Sequence, residues 1–239
     1  MKITHVLFVV CMVCGTLFGA GRPGSKENAL NEFMMNYHRK PVPEKVTGFL
    51  KDLDSARFSE GAAAPICGFF FEICLANSAK VPEWSETILK FKNSQWRSYL
   101  ALFLTAAAPG HQELVKKMGI RNVPTFIQVN QFSCVNPDFS WGRFFATGKR
   151  EHVKRVLDLA LAPAKSADKK RIDLTARSAE WSLHALAQQQ KEVAAALKDL
   201  LKERSDAEVV YFFRNAKEEE KKALLDPKRA AALPASPKK

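Results

Sequence analysis

The sequence predicts an all-α fold built of antiparallel helix pairs, in the manner of a helical bundle or an α-solenoid. Three observations carry this. Beyond residue 28, apolar residues recur at three- and four-residue spacing along nearly every segment, the spacing that lines one face of a helix with 3.6 residues per turn. The breaks between these stretches are short and hold Pro or Gly, the residues that open and close helices. The helices so defined are too short to persist alone, so each needs a neighbour against its apolar face. No fixed sequence period accompanies the pattern, so a regular repeat array does not follow from it.

The chain begins with an export signal by the same kind of reading. Lys2 and His5 precede an apolar stretch at 6–13, and Gly15, Gly19 and Ala20 supply the small residues of a cleavage point. That stretch is short for a bilayer span, which takes about 20 residues, so no transmembrane segment is expected once residues 1–20 are removed. The expectation is therefore a protein exported to the periplasm or secreted. Residues 21–28 (GRPGSKEN) are expected to form a flexible lead, 29–225 a single helical domain, and 226–239 (DPKRAAALPASPKK) a basic, disordered tail.

Within the domain the elements follow in order. Val46, Phe49, Leu50 and Leu53 form one helical stripe behind Pro43; Ile66, Phe69, Phe70 and Ile73 form the next behind Pro65. Pro82 opens a short helix over 82–92, with Trp84 and Ile88 inward. Trp96, Tyr99, Leu100, Phe103 and Ala107 make a longer stripe, stopped by Pro109-Gly110, and a short helix near 111–118 is closed by Gly119. Residues 120–137 are the irregular part, with Phe126, Ile127 and Val129 read as a short strand or a packed loop, and Asn136-Pro137-Asp138 as a turn into a helix start. Trp141, Phe144 and Phe145 then share a face up to Gly148. Val153, Val156, Leu157 and Ala160 line a helix ending near Pro163, and a charged linker over 165–171 follows. The remaining stripes are Ala176, Ala179, Leu183 and Leu186; Val193, Leu197, Leu200 and Leu201; and Val209, Phe212, Phe213 and Ala216.

One stretch supports a different fold. In "MGIRNVPTFIQVN" (118–130) a helix closes at Gly119 and a Val-Pro-Thr precedes an apolar run, the wording of a thioredoxin-like cis-proline. With Pro124 in that role, 65–73 reads as a buried strand ending at Cys74, and 99–104, 143–147 and 151–161 fall in the order of a thioredoxin-like α/β layout followed by C-terminal helices. Asn77 stands where the second thiol of a dithiol site belongs, and a disulfide oxidoreductase needs both sulfurs. This alternative is thus a degenerate monothiol protein using Cys74 and Pro124. Against it, 141–145 and 96–107 carry helical rather than alternating patterns.

A resemblance covers more of the chain. "WGRFFATGKREHVKRVLDLAL" (141–161) followed by "ARSAEWSLHALAQQQKEV" (176–193), with "PVPEKVTGFLKDL" (41–53) and "APICGFFFEICLANSAKVPEW" (64–84) upstream, resembles a group of mostly exported, uncharacterised bacterial proteins. The resemblance spans roughly 33–203. It implies an all-helical domain with no established activity, and makes 118–138 a variable connection. Cys74, where that group usually has a large apolar residue, and the long basic tail depart from it.

The chemistry-bearing residues are scattered. Cys67, Cys74 and Cys134 remain after signal removal. On one helix Cys67 and Cys74 lie about 10 Å apart, too far for a bridge, while Cys134 is free to pair with either. His38, His111, His152 and His184 form no metal-ligand spacing, so no metal is expected. Glu83 and Glu180 each precede a Trp, a pattern more consistent with solvent neighbours of aromatics than with a glycosidase pair. No Gly-rich phosphate loop or nucleophile elbow occurs, and no cofactor is expected. The formal net charge is +12, and Lys149, Arg150, Lys154 and Arg155 form a basic face, with further cations in the 165–171 linker and the tail. An exported cationic protein is drawn to anionic surfaces; nucleic acid is not expected as a partner. The expected role is a non-enzymatic binding or scaffold protein for an envelope or extracellular partner, contacting it through a groove between helix pairs or through the basic face. The alternatives are the monothiol protein and a binder of anionic envelope surfaces.

Overall fold

A computed structural model of the protein describes residues 26–56, 60–120, 122–165 and 169–233. The segment 1–20 expected to be an export signal, residues 21–25 of the expected lead, and the end of the tail, 234–239, lie outside these. Among the described residues the fold is all-α, with fourteen α-helices, four short 3-10 turns and no strand. The chain divides into two compact units, the first ending at Lys149 and the second starting at Arg150, where the sequence suggested one domain over 29–225.

The first unit holds α1 (Lys26–Tyr37), α2 (Val46–Ser55), α3 (Ala63–Ala76), α4 (Val81–Leu89), α5 (Ser94–Ala107), α6 (Gln112–Lys117), α7 (Phe126–Ser133) and α8 (Pro137–Thr147). Its centre is α3, in which every residue from Pro65 to Cys74 is buried. A helix apolar all round can only be an interior one. Successive residues turn by about 100°, so the three adjacent phenylalanines meet three different walls. Phe69 packs against Phe33, Tyr37 and Phe49 of α1 and α2. Phe70 meets Trp84 of α4, and Phe71 meets Phe126 and Phe139 of α7 and α8.

The closest packing is between α3 and α8. A Cβ on Gly142 would fall 1.9 Å from the Pro65 carbonyl oxygen, and one on Gly68 would fall 2.2 Å from that of Phe139. Backbone therefore meets backbone at this contact, and only glycine fits. The same contact buries an ion pair. Arg143 Nε donates to Glu72 Oε1 at 2.5 Å and Arg143 Nη1 to Asn130 Oδ1 at 2.7 Å, with the guanidinium 5.4 Å from the centre of the Phe71 ring. Among the described residues no single helix is long and apolar enough to cross a membrane. Residues 63–76 and 78–89 together pass by length and composition, but they are bent by 105° and α3 is buried.

The second unit holds α9 (Arg150–Lys165), α10 (Lys169–Gln189), α11 (Lys191–Lys202), α12 (Asp206–Phe212), α13 (Glu218–Leu224) and α14 (Pro227–Ala232). Only residues 166–168 separate α9 from α10, and the two pack along each other, so they run antiparallel. Extended backbone at Gln190 breaks α10 from α11, which packs back on α10 and α9. The expected stripes are buried: Val153, Val156, Leu157 and Ala160; Ala176, Ala179, Leu183 and Leu186; Val193, Leu197, Leu200 and Leu201; Val209, Phe212, Phe213 and Ala216.

Several sequence expectations are corrected. The lead expected over 21–28 is helical from Lys26. Residues 126–133 form a helix rather than a strand or loop, because Thr125 and Gln128 make a capping box: Gln128 N donates to Thr125 Oγ1 at 3.2 Å and Thr125 N to Gln128 Oε1 at 2.8 Å. The linker expected over 165–171 is helical at Lys165 and at 169–171, while α9 ends close to Pro163, as expected, at Lys165. The tail is helical over Pro227–Ala232. There Asp226 caps the helix, Ala230 is buried, and Arg229 donates to the carbonyls of Leu201 and Arg204, both at 2.7 Å. The thioredoxin-like alternative does not hold. Residues 65–73, 99–104, 143–147 and 151–161 are all helical, and the bond before Pro124 is trans.

Candidate functional site

A cleft that joins charged, polar and aromatic side chains belongs to the second unit and is built on α10. That helix has two faces. Its inward face carries the expected Ala176, Ala179, Leu183 and Leu186. A second stripe, Arg177, Glu180, Trp181, His184 and Gln188, has the same helical spacing and joins polar and aromatic residues. Four of these line a cleft of about 460 Å³ closed by Asn215, Ala216 and Glu220, a volume within the range of small-ligand sites.

Trp181 sets the cleft apart. Trp84, Trp96 and Trp141 are buried, at 0%, 6% and 1% exposure, whereas Trp181 is 41% exposed. The groups around it are already engaged. Glu180 Oε2 accepts from Arg214 Nη2 at 2.7 Å, and the Asn215 side chain also bonds this carboxylate. Burial still raises the Glu180 pKa, outweighing Arg214, Asn215 and Arg177, which lower it. Arg214 is held in turn, its Nη1 donating to the Tyr211 carbonyl at 2.6 Å and its guanidinium lying 3.8 Å from the centre of the Tyr211 ring. His184 stacks on Phe212 with ring centres 4.6 Å apart. Burial lowers its pKa, although Glu220, 3.8 Å away, pulls the other way. The imidazole is therefore neutral at pH 7. Glu220 accepts from Gln188 Nε2 at 2.9 Å and from the Lys217 backbone N–H at 3.1 Å, closing the first turn of α13.

The residues singled out in the sequence are placed differently. Lys149 is exposed at the end of the first unit; Arg150, Lys154 and Arg155 begin the second. Arg150 pairs with Glu203, and Lys154 with Asp158 at 2.8 Å, where Arg204 also pairs. Arg155 is half-buried and likewise partnered. Local carboxylates thus offset much of the basic face. Cys74 is 1% exposed and burial pushes its thiol well up, which disfavours the nucleophilic thiolate. All three described cysteines are free. Cys67 packs with Phe71, Ala106, Val129 and Phe139, and Cys134 is exposed. Glu83 is an exposed partner of Thr47 and Lys80 in the first unit, and Glu180 belongs to the second. Among the described residues no group of three or more His, Cys, Asp or Glu is placed to hold a metal ion.

Sequence reading named Glu180 and His184 but did not join them. The signal was present in the spacing of 177, 180, 181, 184 and 188, a second stripe on a helix whose apolar stripe was already accounted for. Arg214 and Glu220 come from 30 or more positions along the chain, and nothing local announces them. The chain matches no family model, no curated protein and no solved structure.

Proposed function

We propose that the protein is an exported, non-enzymatic binding protein whose ligand enters the Trp181 cleft. The observation that supports this most is the exposed indole in a chain that buries its other tryptophans. A large rigid apolar face left half in water is worth most when something covers it. The second support is that the ionisable groups around it have partners, so the cleft offers a stacking face and directional hydrogen bonds rather than an unengaged nucleophile or proton donor. Export rests on the apolar segment at 6–13 and the small residues after it. The geometry favours this cleft over the 149–155 basic face, two of whose cations are spent on Glu203 and Asp158.

In-cell photocrosslinking tests the reading. A photoreactive phenylalanine analogue replaces Trp181 in one variant and Leu174, exposed on the same helix, in another. A discrete mass addition at position 181 that is absent at 174 is the expected result. Equal labelling at both positions, or none at 181, would overturn it.

A further inference from the structure

We infer that the ligand of this cleft is a neutral saccharide; the inference rests on the binding reading above and gives its ligand a chemical class. The first ground is the pairing of surfaces. A pyranose ring has an apolar face of C–H bonds and a rim of hydroxyls. The indole face carries negative quadrupolar charge that attracts polarised C–H bonds. Around Trp181 the cleft places Arg177, Asn215 and the carboxylates of Glu180 and Glu220. These are planar, fork-shaped groups that address two neighbouring hydroxyls at once.

The second ground is charge. Arg177 and Arg214 stand against Glu180 and Glu220, and His184 is neutral at pH 7 because burial lowers its pKa more than Glu220 raises it. Arg177 lines the cleft with the two carboxylates, and Arg214, outside the lining, offsets Glu180 through their 2.7 Å pair, so that with it the charges balance. An anionic ligand such as a phosphate would face two carboxylates that already have partners and no unopposed cation. A cationic amine drawn to the indole would need an uncommitted carboxylate. Glu180 is taken by Arg214 and Asn215, and Glu220 by Gln188 and the α13 backbone. A wholly apolar ligand would bury these polar groups without replacing their water. Hydroxyls, which donate and accept, can share bonds with both guanidinium and carboxylate while those groups keep their partners.

The test is binding of the signal-free full chain to an array of neutral hexose and N-acetylhexosamine oligosaccharides, with uronate and amino-sugar oligosaccharides alongside. Hits are then titrated by Trp fluorescence and calorimetry. At least one neutral oligosaccharide should bind saturably and in preference to both charged series. Trp181→Ala should weaken it at least about tenfold, equivalent to the stacking contribution of an aromatic face. Trp181→Phe should recover part of the affinity, and Asn215→Asp, which adds a charge, should lower it, all with unchanged helical circular dichroism. Preference for the uronate or amino-sugar series, or binding indifferent to Trp181→Ala, overturns the inference. If crosslinking labels position 181 while no saccharide binds, the ligand class is wrong and the binding reading stands. If neither signal appears, both fail.

Discussion

The two units pack short helices with different residues. The first uses phenylalanine and glycine. Of the phenylalanines beyond residue 20, only Phe212 and Phe213 follow residue 149, and no glycine occurs after Gly148. The second unit closes on Ala, Leu and Val in narrow stripes, such as Ala176, Ala179, Leu183 and Leu186 of α10. Where glycine lets backbones touch, large rings fill the space on either side, and α3 is consumed as a core helix on all faces. Where one narrow stripe meets its neighbours, the opposite face of the helix stays available. The difference teaches why the chemically varied cleft lies on α10 and not on α3: a helix can present a second stripe only if the first does not take the whole circumference.

The contrast breaks most sharply at the glycines. Gly142→Ala places a Cβ 1.9 Å from a carbonyl oxygen and Gly68→Ala one 2.2 Å from another. No rotamer relieves a Cβ clash with backbone, so α3 and α8 must separate. Each substitution should cost more than about 3 kcal/mol, seen as a large drop in the urea midpoint followed by circular dichroism. Gly48→Ala is the control. Gly48 is exposed in α2 with nothing within 4 Å of the added atom, and alanine there should add about 0.5–1 kcal/mol through helix propensity. Equal effects at 142 and 48 would mean that the helices do not meet at the backbone.

This asymmetry marks what the sequence could and could not reveal. The apolar stripes of α2, α4 and α9–α12 were legible because each buries one face, and periodicity reports exactly one-sided burial. For α3 the stripe at 66, 69, 70 and 73 was visible, but full burial of Glu72 and Phe71 was not. Glu72 finds its cation 71 residues away in Arg143, a pairing no local pattern encodes. The helix at 126–133 opens on Val-Pro-Thr-Phe-Ile, whose β-branched character points to a strand, while the Thr125/Gln128 box that starts it is a signal of only two residues. The tail looked disordered by composition. Its helix is capped by Asp226 and anchored by Arg229, which bonds Asp206 and the carbonyls of Leu201 and Arg204, partners more than 20 positions away that no local pattern announces. The cleft was half legible: the stripe on α10 was there to be read, its partners from 214–220 were not.

The next largest effect tests whether the first unit really seals its polar groups from water. Glu72→Gln removes one charge from a pair whose side chains are 7% and 4% exposed. It takes away the carboxylate that Arg143 faces inside the unit, at a cost of about 3–5 kcal/mol. The double variant Glu72→Met, Arg143→Met should recover much of that loss, since removing both charges leaves none stranded. The comparator in the second unit is Arg150→Ala, which breaks a pair with Glu203 that is about half in water (45% and 57% exposed) and should cost less than about 1 kcal/mol. Similar losses at Glu72 and Arg150 would erase the distinction between the units.

The smallest effect is a pH dependence. Asp138, in the first turn of α8, has a buried Oδ1 without a hydrogen-bond partner, and burial pushes its carboxyl up to about 7. In the unfolded chain the same group titrates near 3.9. Between these values the native state holds a proton that the unfolded state has released. Its contribution to stability is therefore complete below about pH 4 and is lost as pH rises through about 7, by at most about 4 kcal/mol. Asp138→Asn keeps the shape and removes the titration. Urea midpoints at pH 4, 6 and 8 should show the variant equal to the parent at pH 4 and more stable at pH 8; a parent that gains on the variant between pH 4 and pH 8 sinks the assignment. Glu180 in the second unit is also raised by burial but is held by Arg214 and Asn215, so Glu180→Gln should flatten the parent's pH profile less than Asp138→Asn does. A carboxylate with partners at the edge of a cleft feels burial less than one sealed without them, and that ordering is the same contrast between the units expressed in protons.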